Sequence, residues 1–160
     1  AESAKAQTGA GHNLDHPVLG WVERIQLMPE LLVFDAKLTP GSEGNVLHGD
    51  DIKEFRKDKE KWVRFSVADA LGNEKMLERR VIDKSTFRTT SGKTERRYII
   101  ESAICMEKVY LVLEFALADR SDYEQKVRIG RESLAGNFLV DPARTRTASP
   151  DCGRSKRKSK

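Results

Sequence analysis

The residues of this chain that could do chemistry gather around one tight turn, Thr39-Pro40-Gly41-Ser42, with acidic side chains before and after it. An apolar stretch, Leu31 to Leu38, runs into the turn, and a second apolar pair, Val46 and Leu47, follows. A carboxylate at such a junction could act as a general base on water, and a second one forced beside it would share its proton and act as the acid. The turn itself offers only alcohols. Neither Thr39 nor Ser42 ionises near neutral pH, so neither can be that base. Asp35 precedes Thr39 by four residues, about 13 Å along a strand, too far to occupy the same point. Glu43 lies in the loop and is the one acid that could reach a cleft beside it; Asp50 and Asp51 read as turn or solvent-facing groups.

Other chemical patterns fail on their spacing. Gly92-Lys93-Thr94 resembles the end of a phosphate-binding loop, but Phe87 stands where that loop needs glycine, so a turn is expected. The histidines are His12, His16 and His48. His12 and His16 have a spacing that suits a metal on a helix, yet the segment lacks helical periodicity and a glutamate after His12. No metal or other cofactor is expected, and no nucleophile motif supports a hydrolytic triad. Trp21, Trp62 and Phe65 read as core side chains rather than base-stacking surfaces.

The elements that must position the turn are mostly short extended segments. Trp21 to Leu27 and Leu31 to Leu38 are separated by Met28-Pro29-Glu30, a turn-compatible break. Trp62 to Val67 alternates like a half-buried strand, and the charged run Lys57 to Lys61 suits a hairpin tip with Ile52 to Phe55 as its partner. A short exposed helix over 52–61 is the competing reading. Met76 to Ile82, Arg96 to Ile104, Val109 to Leu117 and Phe138 to Val140 complete the strands, with a turn at Ser91-Gly92-Lys93. Arg131 to Ala135 reads as one short helix opened by Gly130 and closed near Gly136. Many short strands with one helix predict an all-β barrel or sandwich.

Composition sets the outer bounds. A chain of 160 residues, 38% hydrophobic and 34% charged, can bury a core as one domain. No apolar run approaches the roughly 20 residues of a membrane helix. The net charge of +4 is local, since residues 154–160 hold five cations and no acid. Of 29 basic residues that leaves 24 against 25 acidic ones, a near-neutral body. The basic segment could bind nucleic acid or an anionic surface. Residues 1–16 read as a flexible arm, 17–142 as the domain and 143–160 as a disordered tail. The small, polar start at Ala1 suits a mature exported protein, and Cys105 and Cys152 could pair in an oxidising compartment or stay free.

Several short motifs occur together in a fixed order: Gly20-Trp21-Val22-Glu23, Ala36-Lys37-Leu38, Leu47-His48-Gly49, Trp62-Val63-Arg64-Phe65, Asp119-Arg120, Ile129-Gly130-Arg131-Glu132-Ser133-Leu134 and Leu139-Val140-Asp141-Pro142. Over roughly 18–142 the chain thereby resembles the bacterial retropepsin-like aspartic peptidases, a family also labelled ATP-dependent zinc proteases. No residue here supports the zinc or ATP part of that label. The resemblance implies a closed, mostly antiparallel β-barrel with one short helix, and a homodimer whose two loops meet across a two-fold axis. The family's loop reads Asp-Thr-Gly-Ala. Here Thr39 stands for the aspartate, Pro40 for the threonine and Ser42 for the alanine, while Gly44-Asn45 replaces the usual Thr-Ser.

By the same resemblance, Leu38, Thr39, Gly41, Ser42 and Leu47 would line a cleft for a peptide or protein partner. Ile129, Gly130 and Arg131 would support the loop from beneath, with Asp119 as a candidate ion-pair partner of Arg131, or with Asp119-Arg120 as a surface turn. The expected function is a catalytically degenerate, peptide-binding homologue in the periplasm. The alternative is an active aspartic endopeptidase using a partner subunit or an unrecognised acid.

Overall fold

The computed structural model describes residues 15–153, which fold into ten strands and one short helix. In chain order these are β1 (Val18–Met28), β2 (Leu32–Thr39), β3 (Asn45–His48), β4 (Asp50–Lys57), β5 (Glu60–Ala68), β6 (Glu74–Arg88), β7 (Thr94–Met106), β8 (Val109–Ala118), β9 (Val127–Gly130), α1 (Arg131–Leu134) and β10 (Leu139–Thr145). The arm and the basic segment fall, apart from its innermost residues, outside this range, as does His12.

The strands follow the period-two rule of a pleated chain with one buried face. Leu32, Phe34, Ala36 and Leu38 of β2 point inward, as do Val63, Phe65 and Val67 of β5. The charged run after β4 forms a hairpin rather than a helix. Asp58 and Lys59 sit at φ 53° and 66°, the left-handed pair of a two-residue turn whose twist matches the flanking strands. Strand β4 is almost wholly exposed and rich in Asp, Lys, Glu and Arg, a composition that discourages pairing at a free sheet edge.

The sheet order is β10-β1-β2-β9-β3-β8-β7-β6-β5-β4, and β1 also pairs with β7. That last pairing closes β1, β2, β9, β3, β8 and β7 into a six-stranded barrel. Long β6 runs along β7 with its second half and along β5 with its first, so β6, β5 and β4 extend the barrel as a side sheet. Ile25, Phe34, Leu47, Ile100, Phe115 and Ile129 meet in the interior, fully or almost fully shielded. Each such side chain contributes on the order of 1.5–3 kcal/mol by leaving water.

The chain beyond Pro142, expected as tail, is ordered through the last described residues. Strand β10 lies parallel on β1, and Gly20 is the reason it can lie so close: a β-carbon there would stand 2.2 Å from the Arg144 carbonyl oxygen. Past β10, the buried carboxylate of Glu23 accepts hydrogen bonds from the backbone N–H groups of Thr147 (3.0 Å) and Ala148 (3.2 Å), and also from Gly20 N–H (2.6 Å) and the Thr147 hydroxyl (2.5 Å). A disulfide between Cys105 and Cys152, with Cα atoms 6.0 Å apart, fastens the end of the segment to β7.

Candidate functional site

Strands β2 and β3 flank β9, pairing with it on opposite sides. The loop joining them, residues 40–44, therefore has to cross over the end of β9. Close packing of backbone on backbone makes that crossing possible. A β-carbon on Gly130 would stand 2.4 Å from the Gly44 oxygen and 2.6 Å from the Glu43 oxygen, so only glycine fits. The loop closes on itself through Ser42 N–H to Thr39 O (3.1 Å), and its carbonyls are then taken up by the start of α1. Arg131 N–H donates to Ser42 O at 2.6 Å and Glu132 N–H to Glu43 O at 3.1 Å, satisfying two of the donors a helix leaves free at its first turn.

Asn45 is the hub beneath the loop. Its Oδ1 accepts from Gly130 N–H (2.8 Å), and its Nδ2 donates to Glu114 O (2.9 Å) and Ser133 Oγ (2.8 Å). Three elements, β8, β9 and α1, are thus tied to the first residue of β3, where the crossing ends. Arg131 Nη1 donates to Pro40 O at 3.0 Å, clamping the loop from outside. Pro40, Gly41 and Glu43 are exposed, whereas the Thr39 hydroxyl is buried without a hydrogen-bond partner.

Not all the residues marked out in the sequence gather here. Ile129 and Gly130 lie under the loop, and Ser42 lines the cleft beside it. Leu38 and Leu47 do not face a cleft; they are 3% and 0% exposed and belong to the barrel core, because strand alternation turns both leucines inward and sends their neighbours Thr39 and Val46 the other way. Asp119 does not pair with Arg131. Its carboxylate accepts from Ser121 N–H (2.9 Å) and Ser121 Oγ (2.5 Å) in its own turn, which lowers its pKa, and Arg131 uses the Pro40 carbonyl instead.

Two of the remaining acids near the loop, Asp35 and Asp50, are engaged elsewhere, while Glu43 stands exposed on it. Asp35 is held by Arg146 at 2.7 and 3.0 Å and by Arg24 at 3.4 Å; the Arg146 hydrogen bond above all keeps its carboxyl below the usual range. Asp50 sits 2.9 Å from His48 Nε2. His48 is buried, and its Nδ1 accepts from Arg120 N–H at 2.8 Å, which puts the ring proton of the neutral form on Nε2, facing Asp50. Among the described residues no group of three His, Cys, Asp or Glu side chains could hold a metal.

Beside the loop lies an open cleft of about 790 Å³. One wall is residues 42–46 with Ser133 and Asn137 behind them; the other is Phe87 at the far end of the β6–β7 hairpin. Its floor is the outer face of the barrel. There Arg128, Val46, Ala116 and Ile99 lie side by side on β9, β3, β8 and β7. Sequence reasoning missed Asn45, His48 and Arg128 because each sits in an apolar strand pattern where one polar residue carries no signal of direction.

The profile of the family described as RimB-like, retropepsin-like aspartic endopeptidase RimB, matches residues 18–151. The chain belongs to this family. Its closed barrel is the fold the resemblance implied. Curated relatives include proteins named probable alpha-L-glutamate ligase from Shewanella pealeana, 27% identical over 111 residues, and from Parasynechococcus marenigrum, 30% identical over 110 residues. Those matches cover 68% and 67% of this chain but 24% of each relative, so the chain spans about a quarter of their length. A crystal structure of a Legionella pneumophila protein of unknown function (DUF785) superimposes with a TM-score of 0.70 at 25% identity, covering 82% of this chain and 97% of that one.

Proposed function

We propose that this chain is a non-hydrolytic member of its family, which holds an extended peptide or protein segment in the cleft beside the Thr39–Asn45 loop. The observation that carries the reading is the chemistry of the loop. Where an acid is required, the chain has the Thr39 hydroxyl, buried and unpaired; Asp35 and Asp50 are committed to Arg146 and His48, and Glu43 stands exposed on the cleft wall, four positions along the loop from Thr39. Pro40 also lacks the N–H and hydroxyl that would brace two facing loops. An extended segment laid in the cleft could be held by the side chains of its walls and floor without any bond being broken.

The homodimer implied by the resemblance is part of the proposal. Pro40 and Gly41 stand exposed at the loop tip, where a two-fold contact would bring a second copy. The Cys105–Cys152 disulfide favours an oxidising compartment such as the periplasm. A role for residues 154–160 in binding nucleic acid or an anionic surface remains separate, and their deletion should abolish a salt-sensitive interaction if they have one. The ligase activity in the curated relatives' names belongs to much longer chains and is not carried over.

A quenched fluorescent peptide library, incubated with the purified chain from pH 4 to 7, tests the central point. No cleavage is expected. Pepstatin-sensitive cleavage by the purified chain would support instead the alternative of an active endopeptidase that uses an unrecognised acid.

A further inference from the structure

The side sheet of β4, β5 and the first half of β6 has one face turned away from the core. Only Val63, Phe65 and Val67 of β5 point inward, so Trp62, which the sequence places among core side chains, stands half-buried on the outer face instead. Cross-strand pairing sets Phe55, Trp62 and Arg80 in one row and Lys53, Arg64 and Glu78 in the next. The two rings are neighbours, with centres 6.4 Å apart and planes inclined by 35°. Lys57 lays its ammonium 4.6 Å from the Trp62 ring centre, and the Arg64 guanidinium stands 5.2 Å from that of Phe55.

Charge is sorted on this face. Glu54, between Lys53 and Lys57 on the same edge strand, points to the opposite face and meets Lys61, Lys84 and the Tyr98 hydroxyl there. The acids that remain are taken, Glu78 by Arg64 at 2.7 Å and Glu60 by Arg80 at 3.8 Å. Lys53 and Lys57 therefore meet no carboxylate among the described residues. Protecting a free sheet edge calls for charges but not for aromatic rings. Trp62 moreover keeps its indole N–H buried with no partner, a cost that phenylalanine or leucine would avoid if the ring only filled space.

We propose that this face is a platform for single-stranded nucleic acid, with bases stacked on Phe55 and Trp62 and phosphates on Lys53, Lys57, Arg64 and Arg80. A single strand offers a π-face at every base and a charge at every link, and β4 presents cation, ring and cation in turn as Lys53, Phe55 and Lys57. In the free chain Lys57 and Arg64 cover the rings from water. Both are exposed, and a stacked base outweighs an exposed cation–π contact, so the cations move onto the phosphates as bases take the rings. An acidic protein would use the charges without needing the paired rings. The platform shares no residue with the cleft, and the proposal does not rest on the cleft reading.

The test uses the full chain, residues 154–160 included, and fluorescence polarisation with two labelled twelve-nucleotide strands of equal charge, oligothymidylate and an abasic strand. Oligothymidylate should bind roughly 10-fold tighter, the value of about one stacked base. Phe55→Leu and Trp62→Leu keep apolar bulk and should erase that preference while leaving the salt dependence unchanged. Lys53→Gln combined with Lys57→Gln, at exposed positions, should reduce the slope of log affinity against log salt by roughly 1.4, since each phosphate contact on a single strand contributes about 0.7. The basic segment is the same in every variant, so these differences belong to the platform. If Trp62→Leu fails to fold, Phe55→Leu and the lysine pair decide. Equal or absent binding of the two strands, or an unchanged slope in the lysine variant, would overturn the proposal. A twelve-residue poly-aspartate peptide that binds as tightly as oligothymidylate, and is lost in the lysine variant, would reassign the face to an acidic protein partner.

Discussion

Replacing Gly130 by alanine is the sharpest perturbation of the crossing loop, because its cost can be worked out from distances. The added methyl would stand 2.4 Å from Gly44 O, 2.6 Å from Glu43 O and 2.7 Å from the Glu43 carbonyl carbon. Real β-carbons essentially never come closer than 3.0 Å, so the loop must retreat by about 0.6 Å or more from a backbone that cannot flex as a side chain does. The retreat strains the Gly130 N–H bond to Asn45 and the Arg131 N–H bond to Ser42. Overpacking of this kind costs about 1–3 kcal/mol. Weakening two buried hydrogen bonds adds about 0.5–1.5 kcal/mol each. The gain from a stiffer unfolded chain returns about 0.4–1 kcal/mol. The net expectation is a loss of roughly 3 kcal/mol, within a span of about 1–6. In urea, with a slope near 2 kcal/mol per molar, that moves the midpoint down by roughly 1.5 M. Gly41→Ala is the control, because a β-carbon there meets nothing within 4 Å, and its midpoint should stay close to wild type. Equal midpoints for the two variants would refute the crossing-loop geometry.

Three further outcomes follow from the same structure. Reducing Cys105–Cys152, or replacing both by alanine, frees a 47-residue separation and should cost roughly 4 kcal/mol by loop-entropy reasoning, read from thermal or urea melts with and without reductant. Glu23→Gln presents an amide N–H₂ to donors that need an acceptor; it should cost about 1–3 kcal/mol and expose residues 144–152 to limited proteolysis, while wild type resists. The third concerns acid. Desolvation raises the Asp69 pKa, but hydrogen bonds from Val33, Asn73 and Leu71 N–H groups outweigh it and leave the carboxyl below its ordinary value. Glu30 is likewise lowered, its burial outweighed by Arg79 at 2.8 Å, and Asp35 is lowered by Arg146. Each folded pKa lies below the unfolded one. The stability they contribute is therefore complete above the ordinary carboxylate range and lost as pH falls through it toward the folded values. Asp69→Asn should flatten the acid limb of a stability–pH curve relative to wild type.

Much of the barrel was legible in the chain because its strands alternate. Strand β2 announces itself through Leu32, Phe34, Ala36 and Leu38, and the Lys57–Lys61 run through its charges. The site was legible in outline only. The Thr-Pro-Gly turn marks where the loop lies, but whether Leu38 or Thr39 faces the barrel interior is set by the register of β2 against β9, which a single strand cannot specify. Arg128 looks like a surface residue until Val46, Ala116 and Ile99 are known to flank it in neighbouring strands. Glu23 reads as a polar residue in a strand; its task depends on Thr147 and Ala148, more than a hundred positions away. The far half of β6 carried little signal, since Asp83 to Arg88 are only half-buried or exposed. The order of the segment beyond Pro142 was hidden for the same reason: its anchors are Gly20, Glu23 and Cys105, none of them local.

Under the proposed function the cleft holds a peptide without cutting it. Incubating the purified chain with a binding peptide and weighing both by intact mass spectrometry after prolonged contact measures this directly. The expected result is a retained peptide of unchanged mass at every pH tried, in wild type and in Thr39→Asp, whose Pro40 still prevents the loop from being braced. Fragments produced by wild type and suppressed by pepstatin would contradict the claim.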